Sequence, residues 1–431
     1  MIHGSRFEIT HLSVPAADRS AAPFQHRPWT LRPEDLALRL AHLPGFLWLD
    51  SAEAGAGAIS LLTASPLKIL TGSLPADWQQ VEDHLQHHAL PHHPDWPFPA
   101  GGLFGWVGYD GDFTLGHYPH ALLYFHDTRT WFEVGGLSSI IDFDQPSSPT
   151  SLPPATLHFT PQTTRADFIK SIVAAKAYIA SGDIYQVNLT YPWQASWPEL
   201  ADPLASYLRL RQVSPAPHAA YLDLAGTQVL SASPELFLRL SGSRIVTRPI
   251  KGTRPRYPQD RERDDNARAD LLASAKERAE LLMITDLQRN DLGQVCEFGS
   301  VHVPELWKVE AYPQVFHLVS TVEGRLPSST SHAQAFRACF PGGSITGAPK
   351  KRATEIIAEL EPHPRGLYTG AIGGFGFNGE SLWSIAIRTA VRQNDTIHFH
   401  TGAGIVADSD PDLEYQETQH KAAGLLLMGQ P

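Results

Sequence analysis

The 431 residues suffice for one large domain or two ordinary ones, and 42% hydrophobic with 10% aromatic residues describe a globular rather than a disordered chain. A formal charge of −11, from 45 acids against 34 Lys and Arg, argues against nucleic acid or an anionic membrane as the main partner. Two cysteines, Cys296 and Cys339, are too few for a disulfide framework, and no stretch has signal-peptide or membrane-spanning character, so a soluble, cytoplasmic protein is expected.

Glycine (33) and proline (35) are abundant turn formers and favour many short strands. The His-rich piece HLQHHALPHHPDW (84–96) has no H-x-x-x-H pair with partner acids and is read as a solvated loop. Residues 142–165 are rich in Pro, Ser and Thr and read as a connector between an N-terminal portion (1–150) and a C-terminal portion (164–431).

After the connector a helix is predicted from a Thr164 cap with Asp167 three residues on. Its apolar stripe is read as Ile169, Ile172, Val173 and Ile179, and Gly182 ends it. DIYQVNLTYPW then alternates, with Tyr185, Val187, Leu189 and Tyr191 on one face and Gln186, Asn188 and Thr190 on the other. The polar face is either a wet cleft wall or a solvated surface. QVLSASPELFLRL and SRIVTRPIK, joined by SGS (241–243), predict a hairpin that brings Glu235 and Lys251 to one region.

Lys251 stands in PIKGT, with Arg254 and Arg256 directly after it. Like charges so close need an anion or a chemical task to compensate them, and the alternative is a structural salt bridge. AKERAELLMITDL is helical, with Leu272, Ala275, Ala279, Leu282 and Met283 read as the buried stripe and Glu277 and Glu280 flanking it. DLEYQETQHKAAGLLLM repeats the arrangement with Glu414, Glu417 and Lys421. Each pair alone is an ordinary i,i+4 bridge to lysine; two such pairs facing each other would repel unless a hard divalent cation such as Mg²⁺ sat among them.

FPGGSITGAPKK (340–351) is a glycine loop entering a helix at Pro349, and HTGAGIVAD is read as a second amide-rich turn through Gly402 and Gly404. The first is no nucleotide loop, since Ala348 stands where the lysine must be. Arg388 lies in SIAIRTA on an otherwise apolar strand, which predicts a salt bridge or a carboxylate fork.

Taken in order, GDIYQVNLT, LSASPELFL, PIKGTRPR, KERAELLMITDLQRNDLG, FHLVSTVEG, FPGGSITGAPKKRATEII, YTGAIGGFGF, SIAIRT and GAGIVADSDPDLEYQET resemble the chorismate-utilising enzymes. The match runs from about Thr164 to the C-terminus, and GGLFGWVGYD (101–110) resembles the family's upstream portion. The resemblance implies an α+β fold of large antiparallel sheets packed as a sandwich with helices outside, both chain portions contributing to one body. Gln186 replaces the lysine that activates water in the isochorismate- and salicylate-forming members. Lys251, where anthranilate synthases typically have alanine, and Ser344-Ile345-Thr346 resemble component I of the aminodeoxychorismate synthases; Ala403 leans toward the anthranilate side.

For the aminobenzoate branch the resemblance implies that Lys251 attacks C2 of chorismate while the C4 hydroxyl leaves with a proton from Glu235. Ammonia then enters at C4 and expels the lysine, giving 4-amino-4-deoxychorismate. It further implies Mg²⁺ on Glu280 and Glu417, with Glu277 and Glu414 assisting through water. Arg388, Tyr368, Gly402, Gly404 and Lys421 would hold the substrate's carboxylates, with His317, Ser344 and Gln186 lining the site. Ammonia is expected from a separate glutamine amidotransferase subunit, and a downstream lyase is expected to remove pyruvate. GFLWLDSA (45–52) corresponds loosely to the stretch where anthranilate synthases hold feedback tryptophan, although Asp50 departs from the expected glutamate. The competing readings are an anthranilate synthase component I, a catalytically silent subunit binding chorismate or tryptophan, and a non-enzymatic carboxylate-binding scaffold.

Overall fold

The computed structural model describes residues 24–52, 58–74, 76–141 and 152–430. Most of the Pro/Ser/Thr-rich connector, residues 142–151, lies outside them. The expected α+β sandwich is what forms. Among the described residues, the strands make one twelve-stranded and one ten-stranded sheet, and all strand pairings are antiparallel. Strands from both portions of the chain interleave: Asp50 is in register with Ala219 in the larger sheet, and Val107 with Ala371 in the smaller.

Among the described residues four apolar clusters are buried, of which the three largest hold the layers together. Between the sheets, Leu47, Leu123, Ala220 and Val229 of the larger sheet meet Phe104, Trp106, Tyr118 and Ile372 of the smaller. Outside the larger sheet the helices Arg165–Ala180, Pro203–Val213, Lys350–Leu360 and Pro411–Met428 bury their apolar faces. Outside the smaller sheet, Trp78 of the helix Trp78–His87 stacks on Phe336 and is fully buried. Burial on this scale is the main favourable term for any such fold. Among the described residues no helix is long and apolar enough to cross a membrane.

The predicted Thr164 cap is present: its hydroxyl accepts from the Asp167 amide at 3.1 Å. The stripe it heads is different, since Phe168, Ile172 and Ala175 are buried while Val173 is 55% exposed. The helix Ala275–Gly293 likewise buries Leu281, Ile284, Thr285, Gln288 and Leu292 and leaves Leu282 about half exposed, while Leu272, also half exposed, falls in the preceding helix Arg261–Ala273. Both differences have one cause. Several apolar residues on each helix offer overlapping stripes, and the tertiary partner rather than the spacing chooses between them.

The 84–96 stretch is not simply a solvated loop. Its first residues form the last turn of the helix Trp78–His87, and His84 packs against the buried His117. The polar face of Gln186–Ser196 is not a solvated surface: Gln186, Asn188 and Thr190 are buried, although Tyr185 before them is 73% exposed.

Candidate active site

The candidate site sits where the chain changes sheets. The predicted hairpin about residues 241–243 forms, Leu236–Ser241 pairing with Arg244–Arg248, but QVLSASPELFLRL is two strands rather than one. Thr227–Ser233 belongs to the larger sheet and Leu236–Ser241 to the smaller, so the passage falls on Pro234 and Glu235. Proline, with no N–H to give to a ladder, suits such a break. Glu380–Ile385 and Thr389–Gln393 make the return passage through residues 386–388. The two crossings are tied together by the Ile385 amide donating to the Glu235 carbonyl at 3.1 Å and the Ala232 amide to the Arg388 carbonyl at 3.0 Å. Arg388 therefore lies at a bend with φ +49°, not within a strand as expected. Such a φ is uncommon for a residue with a Cβ and marks a conformation imposed by its surroundings.

Glu235 is 5% exposed, and burial pushes its carboxyl up to about 7 against the opposing influence of the Ser344 hydroxyl and the Lys251 charge. Ser344 sits beside that carboxyl, yet no hydrogen bond closes: Glu235 Oε1, Ser344 Oγ and both amide atoms of Gln186 are buried without a partner. Each such atom costs about 1–3 kcal/mol, so a cluster of them points to a site shaped for something polar.

Lys251 belongs to the same group. The strand Ile250–Pro255 carries it opposite Leu318, and a Cβ placed on Gly404 would lie 3.6 Å from Lys251 Nζ and 2.9 Å from Gln186 Nε2. Among the described residues Lys251 makes no ion pair, while its charge acts on Glu235, Glu280 and Glu417. The expected crowding by arginines does not occur. Arg254 Nε bonds Asp270 at 2.6 Å and Arg256 Nε bonds Asp264 at 2.9 Å, both on the helix Arg261–Ala273. Gly252 explains the glycine of PIKGT. Its φ is +73°, and a Cβ there would meet Leu271 Cδ1 at 2.8 Å and the Glu277 carboxylate at 3.0 Å.

His317 is 4% exposed, with Nδ1 3.0 Å from the Thr253 hydroxyl. Burial, with the Arg388 charge added, pushes it down to about 4, so the ring is neutral. Gly402 and Gly404 do not form a turn. They lie within the strand Thr396–Ile405, in register with Thr190 and Asn188; the missing side chain of Gly404 leaves room beside Gln186, while that of Gly402 lets Leu189 and Thr190 pack against the backbone. Lys421 donates to the Gly402 carbonyl at 3.0 Å and pairs with Glu417 at 2.7 Å. Tyr368 is buried and stacks on His400 with ring centroids 5.2 Å apart.

The four glutamates come from two helices, Ala275–Gly293 and Pro411–Met428. Lys276 Nζ lies 3.9 Å from Glu280 Oε1 and 3.8 Å from Glu414 Oε1, so one ammonium bridges the two helices. Glu277 leans to Arg254 at 3.6 Å, and Glu414 accepts from Ser409 at 2.7 Å. Burial raises the Glu280 and Glu414 carboxyls, and the neighbouring Glu417 raises both further. In this arrangement the acids are held by separate basic or hydroxyl partners and do not converge on one point. The donor set still fits a hard divalent cation: all oxygen, with a cation already shared between the helices.

A pair that sequence reasoning missed stitches the cleft together. Arg365, 2% exposed, bonds Glu361 through Nη2 at 2.7 Å and Nε at 2.9 Å, and also reaches the carbonyls of Ile345 at 3.0 Å and Asn188 at 2.7 Å. Glu361 Oε1 in turn accepts from the Thr190 amide at 2.8 Å. The signal was a Glu and an Arg four apart in EPHPR, indistinguishable in sequence from a surface pair. In the N-terminal stretch, Asp50 is 4% exposed and accepts from Arg211 Nε at 2.6 Å, Ser60 Oγ at 2.8 Å and Tyr207 OH at 3.1 Å.

Comparison with known proteins agrees with this geometry. A family profile described as chorismate binding enzyme matches residues 48–427. Aminodeoxychorismate synthase component 1 of Salmonella typhimurium is 38% identical over 95% of this chain and 95% of that protein. Anthranilate synthase component 1 1 of Haloarcula marismortui is 48% identical, but over 62% of this chain and 54% of that protein, so the chain spans about half the length of that relative. Among solved structures, anthranilate synthase component I from Streptococcus pneumoniae superposes with a TM-score of 0.75 at 28% identity, covering 87% of this chain and 93% of that one. With the fold, the crossing-point site and the profile in agreement over most of its length, the chain belongs to the chorismate binding enzyme family.

Proposed function

We propose that this chain acts as component 1 of an aminodeoxychorismate synthase, aminating chorismate at C4 to give 4-amino-4-deoxychorismate. The observation that carries the reading is Lys251: an amine in no ion pair among the described residues, facing a buried carboxyl at Glu235 whose proton is retained to about pH 7. A full-length relative of that activity supports it; the anthranilate synthase relative matches over a shorter stretch.

With its amine in the neutral form, Lys251 attacks C2 of the ring, the double bonds shift, the C4 hydroxyl departs as water with the Glu235 proton, and the carboxylate so formed takes up the proton shed at the new C2–N bond. Ammonia then bonds to C4, the double bonds shift back, and the lysine leaves C2 as its neutral amine with a proton from Glu235, which the new C4 ammonium restores. Hydroxide alone is a poor leaving group, which is why a neutral carboxylic acid at that point matters. Gln186 and Ser344 offer the unpartnered polar atoms against which the substrate lies. Arg388, Tyr368, His317, Lys421 and the backbone at Gly402 and Gly404 orient its two carboxylates and ring.

Glu280 and Glu417 would hold Mg²⁺ directly, with Glu277 and Glu414 reaching it through water. Bound there, the ion supplies a charge that anchors and neutralises the ring carboxylate. Ammonia comes from a separate glutamine amidotransferase subunit, and a lyase completes 4-aminobenzoate. Incubation with chorismate, Mg²⁺ and ammonium tests the reading. A product that becomes 4-aminobenzoate only after lyase is added supports it; fluorescent anthranilate formed without lyase replaces it with an anthranilate synthase.

A further inference from the structure

The geometry points to a second metal site, a three-imidazole centre for a first-row transition ion formed by His84, His88 and His117, remote from the chorismate cleft. His84 lies in the last turn of the helix Trp78–His87 and His88 is its C-cap, one turn apart on the same side. His117 comes from the strand Asp112–Tyr118 that the helix overlies. Among the described residues this is the one group of three or more His, Cys, Asp or Glu residues whose ligand atoms all fall within 4.8 Å of one another.

The distances suit ligation. His84 Nε2 and His117 Nδ1 are 2.9 Å apart. Two nitrogens bound to one ion at 2.0–2.1 Å are separated by about 2.9 Å at right angles and about 3.3 Å in a tetrahedral zinc site, so the pair would open by roughly 0.4 Å around Zn²⁺. The ring centroids stand 4.5 Å (His84–His88), 4.5 Å (His88–His117) and 4.9 Å (His84–His117) apart, so little rearrangement is required. Phe377 packs against His117 at 4.9 Å and His88 at 5.4 Å and walls off one side.

Three neutral nitrogen donors without a carboxylate select borderline ions such as Zn²⁺, Ni²⁺ or Cu²⁺ over Mg²⁺. His117 is buried, and ligation takes the neutral imidazole. His87 of the same helix, with Lys68 and His120 from outside it, also acts on the group, and Lys68 and any protonated neighbour oppose the ion's charge. Six strands separate Asp112–Tyr118 from Ile250–Pro255 in the smaller sheet, roughly 34 Å at the usual strand spacing. The site is therefore independent of the acidic quartet and ties the helix to the sheet.

Zn²⁺ titration of the full chain by calorimetry, under saturating Mg²⁺, decides the matter. Wild type is expected to bind one Zn²⁺ at least about tenfold more tightly than His88→Ala or His84→Ala. Zn²⁺ should also raise the melting temperature of wild type and not of His88→Ala. His88 is half-buried at a helix end, so its truncation leaves the core intact, and circular dichroism verifies the fold whether or not chorismate turns over. Equal affinity in all three proteins, or no one-to-one binding by wild type, overturns the proposal and leaves the His84–His117 contact as a hydrogen bond alone.

Discussion

Two buried charged clusters in this molecule are built on opposite principles. Around Asp50, every strong group has its complement: Arg211 bridges Asp50 and Glu34 at 2.6 Å each, and Ser60 and Tyr207 take the remaining acceptor positions. Around Glu235, the carboxyl, the Ser344 hydroxyl, the Gln186 amide and the Lys251 amine stand close together with their bonding capacity unused. The first cluster satisfies its own charges; the second leaves buried polar atoms unpaired, each at a free-energy cost of about 1–3 kcal/mol. Buried charge alone does not mark a functional site.

The contrast can be broken by substitution. The largest expected effect is at Lys251. Lys251→Ala should abolish formation of 4-amino-4-deoxychorismate while leaving the melting temperature close to wild type, because no ion pair is lost. Next is Glu235→Gln, expected to lower kcat by roughly 10²–10⁴, the usual worth of a placed acid. In the other cluster, Arg211→Met should leave Asp50 buried and uncompensated and cost about 3–5 kcal/mol in denaturant unfolding. Turnover per folded molecule should be unchanged; a variant that is stable but inactive would blur the distinction between the clusters.

Glu235→Gln also carries a pH signature. The carboxyl titrates near its ordinary value when unfolded and at about 7 when folded. Below the unfolded value both states are protonated and nothing differs. As pH rises between the two values the unfolded chain ionises first, so wild type loses stability, and above about 7 it carries the full burden of a buried charge, on the order of 3 kcal/mol. The glutamine variant should therefore match wild type at pH 4–5 and exceed it at pH 8. Identical profiles would mean that Glu235 is better solvated than its burial indicates. The smallest effect is expected from Gly404→Ala, whose methyl would displace the Gln186 amide and narrow the space beside Lys251. KM for chorismate should rise roughly tenfold with little change in stability.

Much of the site was legible because its residues are consecutive in short segments with unusual chemistry. Lys251 between proline and glycine, the paired glutamates and the polar face of Gln186–Thr190 all stand out in that way. What could not be read was anything decided by distant partners. Arg254 and Arg256 looked like company for Lys251, but a bulge at Gly252 and the acids of the next helix draw them elsewhere. Glu361 and Arg365 looked like a surface pair because nothing local reports that Ile345, Asn188 and Thr190 close over them. The run QVLSASPELFLRL has strand character throughout, and only the two-sheet architecture makes Glu235 the hinge between layers. His84 and His117 are 33 positions apart and meet only through the sheet.

The interleaving of early and late strands has a consequence for biosynthesis. Gly102–Val107 is hydrogen-bonded on one side to Asp112–Tyr118, but its other side is satisfied only by Ala371–Gly376. A nascent chain emerging from the ribosome must hold that apolar edge unpaired until some 265 further residues have been made. At translation speeds of about 5–20 residues per second this wait lasts on the order of tens of seconds, a window in which chaperones would guard the edge.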